Sequence, residues 1–421
     1  MHDIVSFELP TWLHKNEDAK TILSGSATPA LTIKDLIELS TDKPQTTKNL
    51  SLDKISLALG SGTGSEALRS TIATLFSDKI TAANILTTNG ATGANSLIFQ
   101  TLLRAGDHVI SMYPSYTQLL DMPQAITGTQ VSLWKLNLDS NHQNKDQESA
   151  AAADIAADLL DINALKTLIK PNTKMIVLNN PNNPTGTMLS LNLQREILSL
   201  AHSHGIFVVV DEIFRPLYHG PKTNPLPPSF AEVDSFAEVD SFDNAIVTGS
   251  LSKAWGLAGV RVGWIATRSE TFMRAALNTR LYTINAISTL DEVIASEALS
   301  PRCRPQILAK HLDLARVNLE ILDGLVDEFS PVVSMVRPFA GATAFLRIVF
   351  DGGPVDDVEF CTGLKEETGV LLAPGSKCFG VDGSGEELRG FVRIHLTGSS
   401  DVFRGALGAL GGYLERIRAR G

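Results

Sequence analysis

The feature that most constrains the fold is a regular alternation of short apolar runs with segments of helical length, from about residue 65 to residue 270. β-branched and aliphatic residues dominate the runs, as in strands that are buried on both faces. This alternation predicts an α/β domain on a mostly parallel seven-stranded sheet, with helices covering both faces. The runs are 84–88, 108–112, 130–134, 174–178, 206–210, 245–248 and 262–266.

A second, smaller unit is expected after the large one, because 421 residues exceed what one hydrophobic core usually organises. A helical stretch near 305–330 precedes three strand-like runs, and this order predicts a smaller α+β domain. We therefore expect a large domain over 51–300 and a small domain over 301–421. The three later runs are 332–336, 343–350 and 391–396.

Composition excludes several classes of function. The net charge of −10 argues against a nucleic-acid or anionic-membrane partner, which would require basic patches. Three widely spaced cysteines contain no metal-ligand pair and fit a reducing compartment better than a disulfide framework. The chain has no secretory signal pattern and no apolar run of membrane-spanning length, so a cytoplasmic location is expected. Two segments interrupt the alternation: a polar insertion at 139–158, and a tandem hexapeptide (S-F-A-E-V-D twice) at 229–240 that reads as a loop.

Lys253 is the residue whose surroundings indicate chemistry. It follows an apolar run within the segment S-L-S-K-A-W-G-L-A-G-V-R-V-G-W, which begins at Ser250. Burial at such a position lowers the pKa of the amine and makes it nucleophilic, whereas most lysines are solvated surface groups. Arg261 and Ser250 add a cation and a hydroxyl suited to a phosphate. The segment resembles the Schiff-base motif of class I/II aminotransferases, which are pyridoxal 5′-phosphate enzymes of fold type I.

The resemblance assigns residues to the cofactor ring. Asp211 follows the run 206–210, at the end of a strand where α/β proteins place ligand contacts, although alone it could equally cap the next helix. Asn183 stands before Pro-Thr-Gly in N-P-N-N-P-T-G, which alone is a good turn sequence. By resemblance, Asp211 keeps the pyridinium nitrogen protonated and Asn183 contacts the phenolic oxygen. Tyr116 lies where the family places the aromatic that stacks on the ring, although an aromatic there could equally belong to the core.

The phosphate and the substrate also receive candidates. The glycine-rich segment T-N-G-A-T-G-A-N opens an apolar helix, and a helix N-terminus favours an anion. By resemblance, Ala91 and Thr92 contact the phosphate, and Ser250 and Arg261 complete its site. Arg393 lies inside an apolar run and is suited to bidentate carboxylate recognition. The resemblance implies that Arg393 and Asn183 bind the substrate's α-carboxylate, and that Lys253, Asp211 and Tyr116 are catalytic.

Two positions depart from the family pattern, and each loses a hydroxyl. Phe214 stands where the family usually has a tyrosine that reaches the phenolic oxygen. Leu59 aligns with a tyrosine that reaches the phosphate of the neighbouring subunit. Neither change affects the lysine, the aspartate or the arginine, so cofactor binding is expected while efficient transamination is put in doubt.

The N-terminal stretch is similar to the opening of capreomycidine-synthase-like members, which cyclise a modified arginine on the same scaffold. Its matching segments begin at Phe7, Ile22 and Thr32. In the family, the N-terminal segment joins the C-terminal part, so residues 1–50 are expected to pack with the small domain. The resemblance also implies a homodimer with the active site at the subunit boundary.

The leading interpretation is an aminotransferase that moves an amino group from an amino acid to a 2-oxo acid through a Lys253 Schiff base. The alternative is a lyase or cyclase that works by elimination and addition, which Phe214 and Leu59 favour. A catalytically silent regulator would need an appended DNA-binding domain or a missing lysine, and the sequence has neither.

Overall fold

The computed structural model describes residues 5–138, 159–220, 226–234, 243–380 and 385–420. The polar insertion predicted at 139–158 lies outside the described residues, as does the second copy of the hexapeptide, 235–240. In the first copy, Ser229 caps a short 3-10 helix, Phe230–Glu232, through a hydrogen bond from the Ala231 N–H.

Strands and helices alternate along the chain. The strands are β1 (Thr21–Ile22), β2 (Ile85–Asn89), β3 (His108–Tyr113), β4 (Gln130–Lys135), β5 (Thr173–Asn179), β6 (Phe207–Asp211), β7 (Ala245–Ser250), β8 (Val262–Ala266), β9 (Val333–Met335), β10 (Thr343–Phe350), β11 (Gly353–Pro354), β12 (Val370–Leu371), β13 (Ala373–Pro374) and β14 (Phe391–His395). The helices are α1 (Glu8–Lys15), α2 (Ile33–Leu39), α3 (Lys43–Asn49), α4 (Glu66–Ala73), α5 (Gly90–Leu102), α6 (Thr117–Thr127), α7 (Ile162–Leu168), α8 (Leu191–Ser203), α9 (Glu270–Leu281), α10 (Thr289–Ala298), α11 (Arg304–Glu328), α12 (Asp357–Thr368), α13 (Gly375–Phe379) and α14 (Ser400–Arg420).

The large sheet has seven strands in the order β2-β8-β7-β6-β5-β3-β4. The five strands from β7 to β4 pair in parallel, whereas β8 runs antiparallel to both β2 and β7. Each predicted run overlaps one of these strands, so the predicted mostly parallel seven-stranded sheet is confirmed.

Both faces of this sheet are buried, which explains why its strands are apolar throughout. Val109 of β3 packs in a core cluster with Leu97 of α5 and Leu119 of α6. The next residue, Ile110, points to the other face and belongs to a separate cluster that includes Ile197 of α8. The sheet is therefore the middle layer between two helical layers.

A second sheet follows α11, as the later runs predict. Its order is β11-β10-β14-β13, with β9 also pairing with β10. The N-terminal segment reaches this part of the molecule, because β1 pairs in parallel with β12 and the Trp12 indole N–H donates to Leu372 O at 2.9 Å. Leu36 and Leu50, in contrast, lie in the core beside the large sheet. The division of the chain at residues 50 and 300 stays a prediction.

In the parts of the chain that the structure describes, no helix is both long and apolar enough to cross a membrane.

Candidate active site

The side chains singled out in the sequence meet where β5, β6 and β7 end and α5 begins. The carboxyl ends of these strands lie at the same edge of the sheet because the strands are parallel. Asp211 ends β6, Ser250 ends β7, and Gly90 starts α5. Arg393 reaches the same region from β14 of the second sheet, through a hydrogen bond to Asn183.

Asp211 is almost completely buried and is held by two donors. Its carboxylate accepts hydrogen bonds from Asn95 Nδ2 and from the Ile213 N–H, both at 3.0 Å. Burial raises the pKa of Asp211 to about 6, while the bonds from Asn95 and Ile213 and the charge of Lys253 act in the opposite direction. Residues 213–216 form a turn, so Asp211 does not cap a helix there. A buried carboxyl poised near neutral pH is a group that can hold or release a proton in the site.

Lys253 lies in the turn after β7 and is mostly buried. Its ammonium donates a hydrogen bond to the Ser26 hydroxyl at 3.1 Å. The pKa of Lys253 is lowered to about 8, chiefly by burial and also by the charges of Arg393 and Arg261, while Asp211 acts in the opposite direction. A substantial fraction of the amine is therefore neutral at mildly alkaline pH and available as a nucleophile or base.

The start of α5 forms a cradle for an anion. Asn89 makes no side-chain capping bond there, so the first N–H groups of the helix face outward. Gly90 has a φ of +70°, a conformation that favours glycine, and a Cβ on it would lie 2.6 Å from Arg261 Nη2. A Cβ on Gly263 would lie 2.4 Å from the Gly90 carbonyl carbon. The guanidinium of Arg261 is thus brought against the helix N-terminus, beside Ala91.

Two hydroxyls extend this cradle. Ser250 Oγ lies 2.8 Å from Ser252 Oγ, and Arg261 Nη1 donates to Ser252 Oγ at 3.4 Å. Thr92, the third residue of α5, is exposed and forms a hydrogen bond that lowers the pKa of the Tyr116 hydroxyl. All four predicted phosphate residues therefore lie around one helix end.

Tyr116 precedes α6 and is partly buried. Burial raises the pKa of its hydroxyl, while a hydrogen bond with Thr92 lowers it. Its ring contacts that of Phe7, with ring centroids 5.6 Å apart. The residue also packs against the core cluster that contains Leu119, and its hydroxyl lies within electrostatic range of Asp211, so Tyr116 borders both the core and the site.

Arg393 and Asn183 form the second half of the site. Arg393 is fully buried, and its Nη1 donates to Asn183 Oδ1 at 3.0 Å, while Nη2 donates to the Ser24 carbonyl. The Arg393 Nε has no hydrogen-bond partner among the described residues. Burial lowers the pKa of Arg393 to about 10, and its guanidinium lies over the Phe379 ring at 4.9 Å. A buried cation with an unpaired donor is prepared to receive an anion.

The two departures from the family pattern occupy different places. Phe214 is buried in the core beside the large sheet, with Gly341 close to its ring. Leu59, in contrast, is 76% exposed. Neither side chain carries a hydroxyl to the site.

Sequence reasoning missed three residues that the fold brings to the site. Asn95 binds Asp211, Ser26 accepts from Lys253, and Phe7 contacts Tyr116. Asn95 is one turn into α5, on the helix that carries the glycine-rich segment, and its position after that motif was the available signal. Ser26 and Phe7 carry no such signal, because they come from a distant part of the chain.

These features fit a phosphate-bearing aromatic aldehyde. The helix start and its glycine cradle suit the phosphate, the buried amine suits the aldehyde, and the unpaired Arg393 donor suits a carboxylate. The large sheet with its second, smaller sheet defines fold type I. The chain belongs to the family "Aminotransferase class I and II", whose model matches residues 33–410. Membership implies pyridoxal 5′-phosphate as the cofactor.

Individual relatives agree with this assignment. The chain is 27% identical to capreomycidine synthase of Streptomyces vinaceus over 368 residues, which cover 87% of this chain and 85% of that protein. A PLP-dependent aminotransferase from Streptococcus suis superposes with a TM-score of 0.82 at 31% identity, with 98% of both chains covered. The PLP-dependent cyclase OrfR has the same fold, with a TM-score of 0.76 at 24% identity over 98% of this chain and 97% of that one.

Proposed function

We propose that this protein is a pyridoxal phosphate-dependent aminotransferase that moves an amino group from an amino acid to a 2-oxo acid, with Lys253 as the cofactor-binding lysine. The observation that carries the proposal is the Lys253 amine, whose pKa burial lowers to about 8. It lies within electrostatic range of Asp211 on one side and of Arg393 on the other. One site would thus combine the reactive amine of Lys253, the buried carboxyl of Asp211 and a cation that can bind a carboxylate, Arg393, which we call the carboxylate receptor.

Each predicted residue has a task in holding the cofactor. Asp211 would hold the proton at the ring nitrogen, because a buried carboxylate favours a cation beside it. Tyr116 would stack on the ring, and Asn183 would donate to the phenolic oxygen. The phosphate would be held by Ala91, Thr92, Ser250 and Arg261.

Bound pyridoxal phosphate supplies an aldehyde that condenses with amines and a ring that accepts the electron pair of a broken Cα–H bond. Arg393 and Asn183 would bind the substrate's carboxylate and so fix the orientation of its α carbon. The neutral Lys253 amine would then take the proton from that carbon, since its pKa of about 8 leaves it partly unprotonated.

A second candidate is a lyase or cyclase that eliminates and adds a group on a modified amino acid. Two observations favour it: Phe214 brings no hydroxyl to the site, and capreomycidine synthase is 27% identical over 87% of this chain. The same lysine, aspartate and arginine would serve both reactions.

A single-turnover experiment separates the two reactions. Cofactor-loaded protein is incubated with a panel of amino acids and no 2-oxo acid. An aminotransferase releases one 2-oxo acid per site and stops, because the amino group stays on the cofactor. Continued release of ammonia or of a cyclic amino acid indicates the second candidate. Lys253→Ala is expected to reduce either reaction by at least about 10³-fold, and normal turnover by this variant contradicts both.

We further infer a homodimer. Apolar side chains are exposed in the segment 52–59 and at the end of α9, and the chain that follows α9 returns to the first segment, since Thr289 Oγ1 donates to Ser56 O at 2.8 Å. They are Leu52, Leu57, Leu59, Leu281 and Tyr282, all more than 60% exposed. A cluster of this kind favours burial against a second copy. The three cysteines are free and buried, which supports a reducing, cytoplasmic setting.

A further inference from the structure

Ser26 is the hydrogen-bond partner of the Lys253 amine, although 227 residues separate the two in the chain. Its hydroxyl lies 3.1 Å from Nζ, and no other bond to Nζ is found among the described residues. Ser26 is partly buried and belongs to the N-terminal segment.

The segment that carries Ser26 also contacts the carboxylate receptor. Arg393 Nη2 donates to the carbonyl of Ser24, two residues before Ser26. One tripeptide, residues 24–26, therefore touches the group that would bind the substrate and the group that would take its proton. The distance between the Arg393 guanidinium and the Lys253 amine therefore depends on the position of this tripeptide.

Hydrogen bonds fix the segment on both sides of Ser26. On one side, the Leu23 N–H donates to Leu371 O at 2.9 Å, and the His395 N–H donates to Leu23 O at 2.8 Å. On the other side, the Thr28 hydroxyl donates to the Lys253 carbonyl, so this part of the segment is attached to the lysine's own backbone. Ser26 is thus held relative to both the second sheet and the lysine turn.

A lysine amine at the end of four methylene groups needs such a contact when it is not attached to a cofactor. Its flexible stem gives it many conformations, and the charges around it pull in different directions. Asp211 attracts the ammonium, while Arg393 and Arg261 repel it. The neutral hydroxyl of Ser26, held 3.1 Å from Nζ, favours one position of the Lys253 amine and adds no further charge to the site.

We propose that Ser26 is a positioning residue that holds the free Lys253 amine beside the substrate anchored at Arg393, ready to take the α proton. The inference rests on the proposed function of Lys253. After the transfer, the ammonium donates to Ser26 Oγ, as it does in the structure.

The first measurement uses cofactor-free protein. Modification of Lys253 by trinitrobenzenesulfonate is followed against pH, by mass spectrometry of the peptide that contains it. The reagent attacks the neutral amine, so the midpoint of the rate profile reports the pKa of Lys253. The bond to Ser26 favours the protonated amine, so Ser26→Ala is expected to move the midpoint to lower pH. Ser26→Thr keeps a hydroxyl and is expected to retain the wild-type midpoint.

Four other charged or titratable groups face the amine among the described residues. They are Asp211 on β6, Arg261 before β8, and Arg393 and His395 on β14. The pKa is raised by burial to about 6 for Asp211 and lowered to about 4 for His395 and about 10 for Arg393. A midpoint near that of Lys253 therefore belongs to the lysine.

The second measurement uses the cofactor-loaded protein. Ser26→Ala is expected to lower kcat and the exchange of the substrate's α proton with D₂O by about tenfold, with KM changed by less than about twofold. Ser26→Thr is expected to restore most of the rate. Ser203→Ala is the control, because that exposed hydroxyl bonds only to neighbouring groups at the end of α8, Leu200 O and His204 Nδ1. Its midpoint and exchange rate are expected to match the wild type.

The outcomes distinguish the two proposals. A Ser26→Ala protein with wild-type midpoint and wild-type exchange overturns the role of Ser26, even where Lys253→Ala is inactive. Normal turnover by Lys253→Ala overturns the proposed function as well. Should Ser26→Ala not fold, Ser26→Gly removes the same hydroxyl for both measurements.

Discussion

Asp211 lies in the candidate site, and its burial is expected to lower the free energy of unfolding at neutral pH. Its carboxyl is almost fully buried, and burial raises its pKa to about 6 from an ordinary value of 3.8. Between these pH values the folded protein binds more protons than the unfolded chain, so stability falls as the pH rises through this window. Above about pH 6 the loss stays constant, because the group is then ionised in both states.

Asp211→Asn is therefore expected to stabilise the cofactor-free protein at pH 8 by about 1–3 kcal/mol, since the amide stays neutral at every pH. The gain should shrink as the pH is lowered towards 4. Urea unfolding at several pH values measures it, and the exposed Asp401→Asn serves as the control. A difference that does not depend on pH contradicts the assignment of the raised pKa to Asp211.

At this scale, the sequence predicted the residues that lie in local motifs. Lys253, Asp211 and Asn183 each end a strand or follow one, and the fold brings them together as expected. Ser26 could not be predicted in this way, because its partner is 227 residues away and no pattern in the N-terminal segment indicates the contact. Asn95 was similarly hidden, since its bond to Asp211 spans 116 residues.

Helix α5 contributes to the candidate site through its first turn. The backbone of Gly90 has a φ of +70°, which costs other residues about 1 kcal/mol. A methyl group there would also meet Arg261 Nη2 at 2.6 Å. The end of an arginine side chain moves easily, so the substitution displaces the guanidinium more than it unfolds the helix.

Gly90→Ala is expected to weaken binding of pyridoxal phosphate by at least about tenfold, equivalent to 1.4 kcal/mol, with little change in helix content. An absorbance titration measures the Kd, and circular dichroism measures the helix content. Gly93→Ala in the same helix is the matched control, because its Cβ would meet only ordinary contacts at 3.5 Å or more. Equal Kd values for the two variants contradict the role given to the cradle.

Element types were easier to predict than element ends. The run 206–210 predicts a strand, and the observed strand β6 is Phe207–Asp211. Strands β5 and β7 likewise extend beyond their apolar runs to Asn179 and Ser250. These strands end in polar residues because the sheet edge there borders the site. Hydrophobicity alone does not predict that such polar residues still pair with a neighbouring strand.

For the whole molecule, the exposed apolar cluster makes a prediction about assembly. Leu57 is 81% exposed and Leu59 is 76% exposed. Replacing both with aspartate places two charges in the proposed interface and is expected to convert the dimer to monomers, which sedimentation velocity measures.

Val402→Asp is the control, because Val402 is 52% exposed on α14, a different surface. This variant is expected to remain dimeric. A wild-type protein that sediments as a monomer, or a double variant that sediments as the wild type does, contradicts the proposed interface.

The contact between Ser24 and Arg393 has a consequence for how the protein is made. The two residues are 369 positions apart, so the ribosome finishes the first long before it begins the second. Lys253 is synthesised between them. A nascent chain can therefore form the turn that carries Lys253 before Arg393 has been synthesised, and the complete candidate site can assemble only late in translation.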